Sequence, residues 1–248
     1  MLLTVSGLNA APIRFKHLWG RYVLGFKPWN HCLASFETKI ASPVTPQMKD
    51  GEYPLSDDHG RFYLCGYLTH EDTETWMDAR RSSDLASYSP PSTRANDIQA
   101  LWYEQLRTGA EFATTMGDTV SATRWTQAAT RVREHFVHDF FNPKTGLVAD
   151  HLTGENKPDF TLRPNMLIVL DLVGDEQVFA PALRKSWESL VFPWGVATLD
   201  PNDPFFHAYH LALEQYRKDE AYHNGTFWPW LNGIAIQRMI EEGQIDLA

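Results

Sequence analysis

At 248 residues, with 43% hydrophobic and 21% charged residues, the chain has the composition of a globular protein, not a disordered or fibrous one. Its formal net charge of −9 argues against nucleic acid or an anionic membrane surface as partner, since both would repel it. Cys32 and Cys65 cannot make a disulfide framework, no apolar run approaches the ~20 residues of a spanning helix, and Met1–Ala11 lacks the basic segment of a signal peptide, so a cytoplasmic protein is expected.

Residues 1–60 read as an irregular segment. Pro12, Pro28, Pro43, Pro46 and Pro54 interrupt periodicity, leaving short helices expected at Ala11–Gly25 and Asn30–Ile40. The main domain is placed at 61–248. It begins with an acidic run and Thr75-Trp76-Met77-Asp78-Ala79-Arg80, followed by a Ser-, Pro- and Arg-rich loop over Ser82–Arg94.

From there the pattern turns helical. Asn96 or Asp97 is the expected cap of a helix running to about Met116, with Ile98, Leu101, Trp102, Leu106, Phe112 and Ala113 near one face. After a turn at Gly117-Asp118, a second helix is expected over Ser121–Phe140, striped by Trp125, Ala129, Val132, Phe136 and Phe140. Asn142–Gly146 carries turn chemistry, and Leu147–Leu152 reads as extended. Further helices are expected over Pro164–Val173, Gln177–Leu190, and from Thr226 or Phe227 to Glu242, with a long loop from Phe192 to Glu220. No strand alternation points to a sheet. Successive helical hairpins imply a helical toroid or a solenoid, and the lack of a fixed-period repeat disfavours the solenoid.

Aromatic residues make up 13% of the chain, nine of them Trp, and they cluster with polar residues in the loops. Trp76 beside Asp78 joins a flat apolar plate to a carboxyl, the pair that sugar chemistry asks for; the plainer reading is a half-buried indole beside a cap or surface charge. Asp97 and Gln99 stand at a helix mouth, where they could read hydroxyls; the plainer reading is Asp97 as N-cap with Trp102 in the core. Arg163 and Asn165 flank Pro164 at the mouth of an apolar helix, where a buried guanidinium needs a counter-ion or a ligand. His223-Asn224-Gly225 lies between Tyr222 and the indoles Trp228 and Trp230, with Gly225 read as a close-approach position. Trp194–Asp200 is uninformative apart from a tight turn at Gly195. His207 and His210 lack partners for a tetrahedral metal site, and phosphate-loop, nucleophile-elbow and dinucleotide motifs are missing, so no metal and no cofactor are expected.

Taken in order, Thr75–Ala79, Asp97–Tyr103, Leu162–Asn165 and Ala221–Leu231 resemble the successive motifs of the amylo-alpha-1,6-glucosidase domain of glycogen debranching enzymes, over about Tyr67–Gly233. The resemblance implies an all-α (α/α)6 toroid and hydrolysis of α-1,6 branch points with inversion, on glycogen, limit dextrin or branched maltooligosaccharide. It places the general acid on Asp78 and a glucose pocket on Trp76. Substrate contacts would fall on Arg163, Asn165, His223, Asn224 and Trp228, with Asp97 and Gln99 standing where many members have Glu and Asn.

Two departures accompany it. The family toroid has more helices before its Thr-Trp-Met-Asp motif than residues 1–66 supply. It also continues past the Trp-Pro-Trp helix to a hairpin whose Glu is the expected general base, whereas this chain stops at Ala248. The expectation is therefore a domain truncated at both ends, prone to self-association through uncovered apolar flanks. Asp219 or Glu220 are the candidates to replace the base. The rival readings are a non-catalytic α-glucan-binding chain and a different toroidal α-glucosidase, trehalase-like or oligosaccharide-trimming.

Overall fold

The computed structural model describes residues 52–53, 63–64, 66–89, 93–153, 155–169, 172 and 176–247, all within the unit Val44–Ala248. The helices expected at Ala11–Gly25 and Asn30–Ile40 lie outside the described residues, as does nearly all of the segment 1–60.

Five α-helices occur among the described residues. They are α1 (Asn96–Thr115), α2 (Thr119–Phe140), α3 (Asn165–Ile168), α4 (Glu176–Leu190) and α5 (Pro229–Glu241). α1 and α2 form a helical hairpin, turned by Gly117 at φ 78° and by Asp118, whose carboxylate accepts the Ser121 backbone N–H at 3.0 Å. That cap starts α2 at Thr119, two residues before the position the pattern indicates. Its stripe is buried as read: Trp125, Ala129, Val132, Phe136 and Phe140. Complete burial of Val132, Phe136 and Phe140 contributes roughly 1.5–3 kcal/mol each. α1 answers with Trp102, Leu106, Ala110 and Ala113, while Phe112, expected near this face, is exposed.

The start of α1 also departs from expectation. Ala95 is the N-cap residue and makes no side-chain cap bond. Asn96 instead donates its amide to the Ala149 carbonyl at 2.9 Å, and Asp97 is buried. Tertiary contacts have taken both candidate caps.

α3 covers the first part of the expected Pro164–Val173 helix, with Pro164 as its N-cap residue; residues 170, 171 and 173 of that expectation lie outside the described residues, and α3 is central. It packs against α1, α4 and α5, and its Met166 and Leu167 are buried. The buried Arg238 of α5 donates Nε to the Leu167 carbonyl at 3.1 Å, supplying a partner at the helix end. α5 begins only at Pro229, because Trp228 is extended and the missing N–H of Pro229 costs nothing in the first turn.

Short strands join the helices where no sheet is expected, two of them inside the stretch Leu147–Leu152 that reads as extended. In chain order β1 is Glu52–Tyr53, β2 Tyr63–Leu64, β3 Arg94–Ala95, β4 Phe141–Asn142, β5 Leu147–Val148, β6 His151–Leu152, β7 Pro158–Asp159, β8 Val191–Phe192 and β9 Gly195–Val196. They make three two-stranded hairpins and one three-stranded antiparallel sheet, β3-β6-β7. Each is two residues long, too short to show a period of two in the sequence. The described fold is helix-rich, with loops braced by these hairpins at the ends of the helices.

Candidate active site

From Thr75 to Asp78 the chain alternates inward and outward. Met77 is wholly buried, and its neighbours Trp76 and Asp78 face the other way. Thr75 steadies the turn by accepting the Met77 backbone N–H at 3.0 Å. Burial of one apolar side chain thus presents an indole and a carboxylate on the same side. The Asp78 side chain is 62% exposed and free to meet a ligand.

Facing it is His223, 2% exposed, with Nε2 3.5 Å from Asp78 Oδ1. Four aromatic rings gather round this pair. Trp76 and Tyr222 meet the imidazole edge-on at 5.1 and 4.7 Å, Trp228 lies nearly parallel at 6.1 Å, and Trp230 meets Trp76 edge-on at 4.9 Å. Trp228 is fixed by donating its indole N–H to the Tyr222 carbonyl at 3.0 Å. Burial pushes the His223 pKa down to about 4; the Asp78 carboxylate opposes this, while Arg163 and His210 add to it. The imidazole is neutral at neutral pH.

A closed series of contacts sets these groups. Trp76 donates its indole N–H to Asn165 Oδ1 at 2.7 Å. Asn165 donates Nδ2 to Asp150 Oδ1 at 3.0 Å, and Asp150 Oδ2 lies 3.8 Å from Arg163 Nε. Arg163 donates Nη1 to the His223 carbonyl at 2.7 Å and to the Thr198 carbonyl at 3.3 Å, and Nη2 to Asn224 Oδ1 at 2.8 Å. His223 returns the series to Asp78, two residues from where it began. Burial lowers the Arg163 pKa against the pull of Asp150, Asp203 and Asp159; a guanidinium remains charged under such conditions.

The four motifs singled out in the sequence therefore do meet, but their residues divide into two kinds. Asp78, Trp76, His223 and Trp228 form the aromatic-lined face. Asn224 and Gln99 are engaged by protein partners. Asn224 accepts from Ser89 Oγ and Arg163 and donates to the Tyr88 and Glu220 carbonyls, which uses its whole amide. Gln99, wholly buried, exchanges bonds with the Leu68 backbone, both at 2.9 Å. Arg163 and Asn165 are committed to protein partners as described. Asp97 is 2% exposed with Oδ1 unpartnered, its pKa raised to about 7 by burial and by the charge of Asp150.

Asp219 and Glu220, the candidate bases, point to other histidines. Asp219 Oδ1 is 3.4 Å from His210 Nε2, and Glu220 lies 3.8 Å from His207 Nε2 while accepting the Arg217 backbone N–H. Among the described residues no group of three His, Cys, Asp or Glu side chains is arranged to hold a metal ion.

Asp150, Ser89 and Thr198 were not foreseen. Asp150 was signalled indirectly, since a buried Arg163 requires a counter-charge. Thr198 sits in the stretch that looked uninformative, yet its Oγ1 accepts the Gly225 backbone N–H at 2.8 Å. Gly225, at φ 144°, fulfils its close-approach reading: a Cβ there would lie 2.1 Å from the His207 carbonyl oxygen.

Among solved structures the chain is similar to a sialidase, with TM-score 0.53 and 13% identity over 70% of this chain and 15% of that one. It is similar also to neutral trehalase Nth1 from Saccharomyces cerevisiae, with TM-score 0.51 and 11% identity over 66% and 30%. A GH63 mannosylglycerate hydrolase from Thermus thermophilus, in complex with Tris, aligns at TM-score 0.48 with 14% identity over 62% and 34%. At such identities the first two likenesses speak only to the fold, and this chain spans 15–34% of the length of the three proteins. A search of functionally curated proteins returns no significant match. The family model described as amylo-alpha-1,6-glucosidase matches residues 55–246, which hold every site residue above. That span is well over half of the chain, and the protein belongs to the amylo-alpha-1,6-glucosidase family.

Proposed function

We propose that this chain carries the acid side of an inverting glycoside hydrolase site that acts on α-1,6 branch points of an α-glucan such as glycogen, limit dextrin or a branched maltooligosaccharide. The observation that carries the reading is the exposed Asp78 carboxylate set among Trp76, Tyr222, Trp228 and the buried His223. Family membership supports the chemistry, and the helical hairpin and central α3 are consistent with part of an (α/α)6 toroid.

In this reading the indole faces pack against the apolar faces of a pyranose, and Asp78, protonated, meets the glycosidic oxygen. As the anomeric carbon–oxygen bond breaks, the proton passes from Asp78 to the leaving oxygen. Inversion requires a second carboxylate roughly 6.5–9.5 Å away to activate water on the opposite face. Asp219 and Glu220 are drawn towards His210 and His207, so we leave that role unassigned.

The test is Asp78→Asn, assayed for glucose release from a branched maltooligosaccharide with a linear one as control. A fall of about 10²–10⁴-fold is expected of a lost general acid. Turnover within a few-fold of the parent overturns the assignment.

A further inference from the structure

The two nitrogens of His223 are in opposite situations. Nε2 faces Asp78 Oδ1 at 3.5 Å, while Nδ1 is buried and has no hydrogen-bond partner among the described residues. Trp76, Tyr222 and Trp228 surround the ring, and Arg163 holds the His223 backbone carbonyl. The charged and titratable groups around it are Asp78 on the motif loop, Arg163 before α3, His210 on the loop after β9, and Tyr222 beside it.

A neutral imidazole carries one proton. Placed on Nδ1, it would be a buried donor without an acceptor, and the Nε2 lone pair would face a carboxylate oxygen. Placed on Nε2, it meets that oxygen as a donor. Leaving a donor unsatisfied is the costlier arrangement, so the Nε2–H tautomer is selected.

We propose that His223 is a positioning residue for the acid. Its Nε2–H engages Oδ1 of Asp78 and so leaves the transferable proton on Oδ2. This inference rests on the reading of Asp78 as general acid, and it changes what His223 does in that reading: it addresses the carboxyl, not a sugar hydroxyl. When Oδ2 gives up its proton to the leaving oxygen, the new negative charge is shared with Oδ1, where the histidine donor already stands. The 3.5 Å separation shortens as that charge develops, in the manner of catalytic hydrogen bonds generally. A donor at Oδ1 also favours the carboxylate that is left once the proton has gone.

Two measurements decide it. In the unliganded protein, ¹⁵N NMR of the histidines should show His223 protonated at Nε2 and bare at Nδ1, with the signals perturbed by Asp78→Asn; an Nδ1–H tautomer overturns the proposal without reference to turnover. In kinetics, His223→Phe keeps a ring in the aromatic frame and removes the donor, while His223→Gln restores an amide donor. The Phe variant should lose about 10–100-fold in kcat, with KM changed by less than about threefold, and the alkaline limb of kcat/KM should move up in pH. The Gln variant should recover part of both. An unmoved limb in a folded Phe variant refutes positioning while leaving the acid intact, whereas an active Asp78→Asn refutes the acid reading and the proposal with it. If the Phe variant does not fold, the tautomer in the parent protein decides.

Discussion

Replacing Asp97 with Asn should flatten the dependence of stability on pH while leaving the fold in place. Asp97 lies in the first turn of α1, buried, one carboxyl oxygen unpartnered and the charge of Asp150 close enough to raise its pKa. Its pKa is about 7 in the folded protein, against about 3.9 in an unfolded chain. The sign follows from proton linkage. Between these values the folded state holds a proton that the unfolded state has released, so the stabilisation is complete below pH ~4 and is lost as pH rises through ~7. Between pH 5 and pH 8.5 this single group should remove on the order of 3 kcal/mol, at about 1.36 kcal/mol for each pKa unit traversed. Asn is nearly isosteric, does not titrate, and offers an N–H where the carboxylate met the charge of Asp150. Urea unfolding of parent and variant at pH 5 and pH 8.5, with equal m-values, gives the comparison. The parent should lose on the order of 3 kcal/mol more than Asp97→Asn over that interval. Parallel stability curves would refute the argument and place Asp97 in a more polar setting.

Two further substitutions probe the surrounding network. Arg163→Lys keeps the positive charge but not the planar fork that reaches the His223 and Thr198 carbonyls and Asn224 Oδ1 together. It should cost about 2 kcal/mol or more in urea unfolding, and a change below about 0.5 kcal/mol would show the fork to be dispensable. Asp219→Asn and Glu220→Gln, tested separately for glucose release, should each cost less than about tenfold in kcat, because each carboxylate is engaged by a histidine, Asp219 by His210 and Glu220 by His207; a loss above about 10²-fold in either would assign the water-activating base to it.

What the sequence revealed depended on how local each signal was. The α2 stripe from Trp125 to Phe140 is written in period 3.6, and every member is buried as read. The two-residue strands carry no period at all. The cap of α1 departs from its local signal because Asn96 and Asp97 have cap chemistry, and only the distant Ala149 carbonyl and the Asp150 charge explain why neither is a cap. The loops were recognisable as polar-aromatic clusters, yet nothing local distinguishes a residue that faces ligand from one that fastens chain. Asn224 and Asp78 look alike as polar loop residues; one has its whole amide committed to Ser89, Arg163, Tyr88 and Glu220, and the other is 62% exposed.

That division has a physical logic in the circuit from Trp76 through Asn165, Asp150, Arg163 and His223 back to Asp78. In the proposed function a proton donor on a loop must be held against thermal motion without being locked in its charged form by what holds it. Here the charged guanidinium does not touch Asp78. Arg163 spends its donors on backbone carbonyls and on Asn224, its charge is countered at Asp150, and only the neutral imidazole that it positions reaches Asp78. A direct Arg–Asp78 pair would hold the carboxylate ionised and unable to donate. The intervening histidine passes on the geometry with a neutral hydrogen bond, while Asn165 fixes the indole on the other side of buried Met77. Because Arg163 and His223 stand in series in one network, paired substitutions such as Arg163→Lys with His223→Phe should be clearly less than additive in kcat. Additive losses would mean that Arg163 and His223 act on Asp78 independently.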